Sequence, residues 1–294
     1  MSYHESRVST ADGRVLEYAT LGDPAGRTVF FHHGTPGSAP LVREFEEIAT
    51  ASGLFFVTTS RAGYGNSTRD EGRTVASVVD DVRLALDVLG RDRYISVGWS
   101  GGGPHSLACA ALDAPRCIAA WSLAGVVPID ADFDWTEGMS PENVEEFALS
   151  KIGGPEYEAH MAKEGAKFAT ANAENIIELF GGLLSEVDKQ ALAGEASRKA
   201  LADACRHGFA NGYWGFFDDD RVFFSPWGFD VSDIKVPVAV WYGDEDLMVP
   251  PTHGAWLVEH IAGATVTHEP LEGHVSILSR YLDELAAQFE KAFE

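Results

Sequence analysis

Tyr94-Ile95-Ser96-Val97-Gly98-Trp99-Ser100-Gly101-Gly102 decides how this chain is read. Tyr94 to Val97 is a short apolar run with the character of a buried strand. Pro104 to Ala111, rich in small residues, reads as a helix. Between them, Gly98, Ser100 and Gly102 fit G-x-S-x-G in its strand–turn–helix setting. The spacing has a steric reason. A turn this tight holds the serine in a strained conformation with its oxygen pushed outward, and residues two positions away on either side must lack bulk. The helix start beneath the serine adds free N–H groups and a positive dipole end, useful where an oxyanion forms.

A serine hydroxyl is a weak nucleophile at neutral pH. It needs a base within hydrogen-bond reach, and the base needs an orienting acid. In parallel α/β folds such groups collect at the carboxyl ends of strands. Around the elbow the sequence alternates strand and helix. Thr28 to His32 and Leu54 to Thr59 are buried strands, and Thr74 to Leu89 is an amphipathic helix ended by Gly90. Cys117 to Leu123 is a further strand. Val8 to Tyr18, folded about Asp12–Gly13, opens the chain as an antiparallel pair. Leu41 to Ala51 has helical spacing. From about 127 to 233 only helices are expected, broken at Gly153–Gly154–Pro155, Gly181–Gly182 and Gly194. Strands return at Val236 to Tyr242 and Ala264 to Leu271, with a helix from Thr252 to Ile261 between them. An amphipathic helix from Val275 to Phe293 closes the chain.

Of the ten histidines, His274 alone follows the last expected strand. His32 and His33, at the end of an earlier strand and the start of its loop, precede the serine. The loop after Val236 to Tyr242 offers Asp244, Glu245 and Asp246.

Taken together, these motifs resemble the α/β-hydrolase superfamily. The resemblance covers about two-thirds of the chain and implies a mostly parallel, eight-stranded α/β sheet flanked by helices. Residues 1–126 and 234–294 would form the core, with 127–233 inserted as a helical cap. Gly243, Asp246 and Val249–Pro250 match the superfamily's acid loop, so Asp246 is preferred over Asp244. Ser100, Asp246 and His274 then stand as catalytic triad. His33-Gly34-Thr35-Pro36-Gly37 resembles the His-Gly-x-Pro loop, which implies an oxyanion hole from the N–H groups of Thr35 and Gly101, with His33 bracing the loop. Arg61 to Ser67 resembles the Asp-x-Pro-Gly-x-Gly-x-Ser segment but has Ser60 for its aspartate and Ala62 for its proline.

The implied activity is a serine hydrolase cleaving a carboxylic ester or lactone through an acyl-enzyme. A proline-iminopeptidase-like aminopeptidase, a carbon–carbon bond hydrolase, an acyltransferase and a non-catalytic hydrolase-fold receptor stay open. Dehalogenase and epoxide hydrolase activities, which use an aspartate at the elbow, are disfavoured. Trp99, Trp135, Tyr213 and Trp214 are the aromatic candidates for the substrate wall, and the expected substrate is a small molecule with an apolar part.

The net charge of −23 argues against nucleic acid and anionic membranes as partners. An acidic cap would suit a cationic substrate. Three cysteines, odd in number and in apolar stretches, point to reduced thiols. No metal, nucleotide or dinucleotide motif is present, so no cofactor is expected. The polar N-terminus and the lack of a long apolar run suggest a cytoplasmic protein, with a homodimer left open.

Overall fold

The computed structural model describes residues 3–294. Eight strands form one sheet: β1 (His4–Ser9), β2 (Val15–Gly22), β3 (Arg27–His32), β4 (Leu54–Thr59), β5 (Tyr94–Trp99), β6 (Cys117–Leu123), β7 (Val238–Gly243) and β8 (Thr265–Glu269). Their spatial order is β1-β2-β4-β3-β5-β6-β7-β8. β1 pairs antiparallel with β2, and β2 antiparallel with β4; every other pairing is parallel. The expected mostly parallel eight-stranded sheet is therefore present.

Parallel strands covered on both faces need apolar residues at successive positions, which alternation sends to opposite sides. Val29 and Phe31 of β3, Phe56 of β4, Val97 and Trp99 of β5 and Trp121 of β6 pack in one core. Phe30, Phe55, Val57, Tyr94 and Ala120 pack in the other.

Between β6 and β7 the described chain is helical only, with helices at Pro141–Ile152, Gly154–Phe168, Ile176–Phe180, Glu186–Ala191, Glu195–Gly208 and Trp214–Phe223. The first of these ends on Gly153 at φ 69°, a left-handed stop that glycine allows.

Three expected helices differ in detail. Leu41 to Ala51 is a 3₁₀ turn, Ala39–Phe45, continued by an α-helix, Glu46–Ser52. The helix expected from Thr74 starts at Val78, because Thr74 and Ser77 first close a turn by exchanging side-chain hydrogen bonds. The closing helix is two pieces, Ser276–Ser279 and Leu282–Lys291. The break falls where Arg280 turns to the Glu272 carboxylate at 3.1 Å and Tyr281 packs edge-on against Trp241.

Candidate active site

Ser100 follows β5 directly and has φ 57°, a left-handed backbone that non-glycine residues seldom adopt. Its neighbours explain how the turn fits. A Cβ on Gly98 would lie 2.1 Å from the Gly102 carbonyl oxygen, and one on Gly102 would lie 2.2 Å from that of His32. Both positions therefore exclude any side chain. Ser100 is 8% exposed and borders a cavity of about 300 Å³ together with Thr35, Gly101 and Val249.

Asp246 and His274 come together from the loops after β7 and β8. His274 Nδ1 lies 2.8 Å from Asp246 Oδ2, and both residues are buried. Asp246 Oδ1 accepts the backbone N–H groups of Met248 and Val249 at 2.8 Å each, so both oxygens are committed and the carboxylate cannot rotate. The His274 ring packs on Trp99, the residue before Ser100, at 5.2 Å. The Trp99 indole N–H also donates to the His274 carbonyl at 2.9 Å. Burial pulls the His274 pKa down, but the charge and hydrogen bond of Asp246, with a further contribution from Asp188, hold it above the ordinary imidazole value. Asp244 instead pairs with His268 at the surface, 2.7 Å apart.

The Gly34–Thr35 loop lies against the serine. A Cβ on Gly34 would come within 3.3 Å of Ser100 Cβ, and one on Gly101 within 2.2 Å of Thr35 Oγ1. Thr35, Gly34 and Gly101 are thus close neighbours at Ser100. His33 is fully buried and braces this loop. It accepts the Arg61 N–H at Nε2 (3.2 Å), which leaves Nδ1 to donate to the Gly34 carbonyl at 2.7 Å. Burial holds its pKa well below the imidazole range, so the ring is neutral.

Three carboxylates around this frame were not foreseen. Asp188, from the helical segment, is fully buried beneath the His274 loop. It accepts the backbone N–H groups of His274 (3.2 Å), Val275 (2.8 Å) and Ser276 (3.0 Å). Asp219, from the Trp214–Phe223 helix, accepts the Thr35 hydroxyl (2.6 Å) and the Tyr64 hydroxyl (2.9 Å). It also pairs with Arg61 (2.6 Å) and Arg73 (2.7 Å). Glu17 of β2 accepts Ser60 Oγ at 2.7 Å and the backbone N–H of Asn66 at 3.2 Å. It supplies to the Arg61–Ser67 loop a carboxylate that the loop itself lacks at Ser60.

The four aromatic candidates are placed elsewhere. The residues bordering the Ser100 cavity include Phe147, Phe168, Phe180, Phe216 and Phe223, but not Trp99, Trp135, Tyr213 or Trp214. Trp99 is held under His274. Trp135 is buried, donates to the Val127 carbonyl at 3.0 Å and packs on Phe147 and Phe224. Tyr213 and Trp214 stack on each other at 4.6 Å, with the Arg69 guanidinium 3.8 Å from the Trp214 ring.

Among the described residues, no group of three or more His, Cys, Asp or Glu side chains is placed to hold a metal ion, and no helix is long and apolar enough to cross a membrane. The three cysteines are buried and free.

Residues 27–281 match the family model of the alpha/beta hydrolase fold. The chain is 24% identical to an uncharacterized hydrolase of Bacillus subtilis over 281 residues, 92% of each protein. It is 25% identical to a non-heme chloroperoxidase of Streptomyces lividans, over 92% of this chain and 96% of that one. Among solved structures it resembles an esterase from a Rhodococcus species at TM-score 0.71, with 21% identity, 99% of this chain covered and 100% of the other. It also resembles an enol-lactonase from Burkholderia xenovorans at TM-score 0.66, with 18% identity, 98% and 99% covered.

Proposed function

This chain belongs to the α/β-hydrolase fold family and is a hydrolase, and on that premise we propose that it is a serine hydrolase cleaving a carboxylic ester or lactone through an acyl-enzyme. The observation that carries this reading is the Asp246–His274 pair. Its carboxylate is locked by two backbone amides, and it packs on the residue preceding a serine held at φ 57°. General-base activation of serine requires a buried, oriented imidazole that can reach the hydroxyl, and the Asp246-held His274 is the candidate for that role at Ser100.

Ser100 Oγ attacks the substrate carbonyl carbon as His274 Nε2 takes its proton. Asp246 keeps the Nδ1 proton in place and stabilises the imidazolium. The N–H groups of Thr35 and Gly101 hold the oxyanion of the tetrahedral intermediate. Collapse expels the alcohol, which leaves with the proton from His274. A water, deprotonated by the same imidazole, then attacks the acyl carbon and releases the acid and free Ser100. Residues 127–233 act as a cap over the core of 1–126 and 234–294. The phenylalanines of the cavity receive an apolar part of the substrate.

Turnover of a panel of p-nitrophenyl esters and lactones tests the reading. Wild type is expected to hydrolyse at least one class, and Ser100→Ala to lose about four orders of magnitude or more in kcat with its fold intact. Near-native turnover by a folded Ser100→Ala protein would overturn it.

A further inference from the structure

The wall of the Ser100 cavity furthest from neutral is built from the cap. Six carboxyl-bearing residues border the cavity, Glu142, Glu145, Glu146, Glu164, Glu178 and Asp220, against Lys163, Lys167 and His160. Lys167 is already engaged by Glu164 at 2.9 Å. Most of these carboxyls are ordinary surface groups, but Asp220 is not. It is 1% exposed, its Oδ2 receives only a long 3.3 Å bond from the Tyr157 hydroxyl, and its Oδ1 has no hydrogen-bond partner. Beside it in the same wall, Glu146 has His160 as its one ion-pair partner among the described residues, at 3.5 Å, and the His160 Nε2 is itself without a hydrogen bond.

A buried acceptor left empty is expensive, and folded proteins keep few of them without a reason. The adjacent residue shows that this segment can satisfy a buried carboxylate when required. Asp219 has two arginines and two hydroxyls, whereas Asp220 has no arginine or lysine bonded to it among the described residues. Burial, then Glu146, then Asp219 push the Asp220 pKa well above the usual carboxylate range. Burial likewise raises Glu146. Two carboxyls that resist ionising side by side are relieved by a cation that also donates hydrogen bonds.

Resting on Ser100 as the reacting residue, we propose that Asp220 and Glu146 form a subsite for a protonated primary or secondary amine carried on the apolar part of the substrate. The amine supplies N–H donors that this wall lacks. The phenylalanines Phe147, Phe168, Phe180, Phe216 and Phe223, which line the same cavity as Ser100 and this wall, cover the carbon skeleton joining amine to ester. A quaternary ammonium would satisfy the charge but not the empty oxygen, so a donor-bearing amine is the better fit.

The test is direct binding, with no turnover required. The Ser100→Ala protein is titrated calorimetrically with 4-phenylbutylammonium and with its neutral counterpart 4-phenylbutanol. The expected result is that the ammonium binds about tenfold or more tightly, the scale of a charge-assisted hydrogen bond out of water. Adding Asp220→Asn should bring the two affinities close together, and adding Glu146→Gln should narrow the gap. Glu146 faces the cavity, so its variant carries the test should Asp220→Asn not fold. Equal affinity for the two probes, or a preference that survives both substitutions, would overturn the subsite. That outcome would leave hydrolysis of neutral esters by Ser100 standing. Loss of Ser100 reactivity would, conversely, leave this binding comparison intact.

Discussion

Asp246 and Asp220 are buried to the same degree, at 2% and 1% exposure, yet their surroundings are opposite. Asp246, in the core, has both oxygens filled by two backbone amides and an imidazole. Asp220, in the helical segment, has one oxygen empty and acidic neighbours. Burial alone therefore says little about what a carboxylate does. A carboxylate with every acceptor position used is fixed, and can hold another group in place. One with a position unused is left for something the chain does not contain. These two carboxylates, one from the core and one from the helical segment, differ in this way.

The comparison can be broken at several points. The largest effect is expected at Asp246. Asp246→Asn should lower kcat by about three to four orders of magnitude, since an amide cannot fix the required imidazole tautomer. Steady-state kinetics on a p-nitrophenyl ester would show this, and a loss below tenfold would mean that Asp246 does not orient the base. Next is Asp219. Removing it strands two arginines whose side chains are 2% and 5% exposed. Asp219→Ala should destabilise the fold by about 3–5 kcal/mol in urea melts. A change under 1 kcal/mol would deny it the role of linking the helical segment to the Thr35 loop.

Asp188 sharpens the comparison further, because it belongs to the helical segment yet is as fully partnered as Asp246. Its charge helps to raise the His274 pKa, and a general base must be neutral to act. Activity should therefore fall as pH drops through a value above the ordinary 6.5 of imidazole. Asp188→Asn should move that acidic limb to lower pH and reduce kcat by about tenfold through looser placement of the His274 loop. An unmoved limb in the pH profile would leave Asp188 a purely structural tie. The smallest effect is expected at Asp220. With a neutral ester, Asp220→Asn should change kcat/KM by less than about threefold, because an apolar substrate gains nothing from its charge. A loss of a hundredfold there would place Asp220 in the reaction itself.

Much of the core was legible in the sequence because its constraints are local. Gly98 and Gly102 are dictated by backbone two to four residues away, or by the adjoining strand, so a short pattern carries them. His274 and the loop of Asp244, Glu245 and Asp246 could be singled out because loops after successive parallel strands open on the same edge of the sheet, while the preference for Asp246 within that loop is what the resemblance to the superfamily implies. Asp188, Asp219 and Asp220 could not be chosen. Asp188 meets His274 across 86 positions and Asp219 meets Thr35 across 184, and nothing local marks such contacts. Glu17, in the second strand, supplies a carboxylate that a local reading sought at Ser60. The aromatic candidates fall outside the lining of the Ser100 cavity for a related reason. Composition shows that Trp135 and Trp214 need cover, but a protein core and a ligand cavity offer the same cover. In the structure Trp135 is covered by core and Trp214 by Arg69 and Tyr213.

The central claim is that Ser100 is an activated nucleophile, and a fluorophosphonate probe reads this directly. Wild-type protein treated with the probe should gain one adduct by intact mass spectrometry, mapped by peptide sequencing to Ser100. The adduct should be absent from Ser100→Ala and formed far more slowly by His274→Ala. Folded wild-type protein that takes no label, or takes it at another residue, would contradict the account.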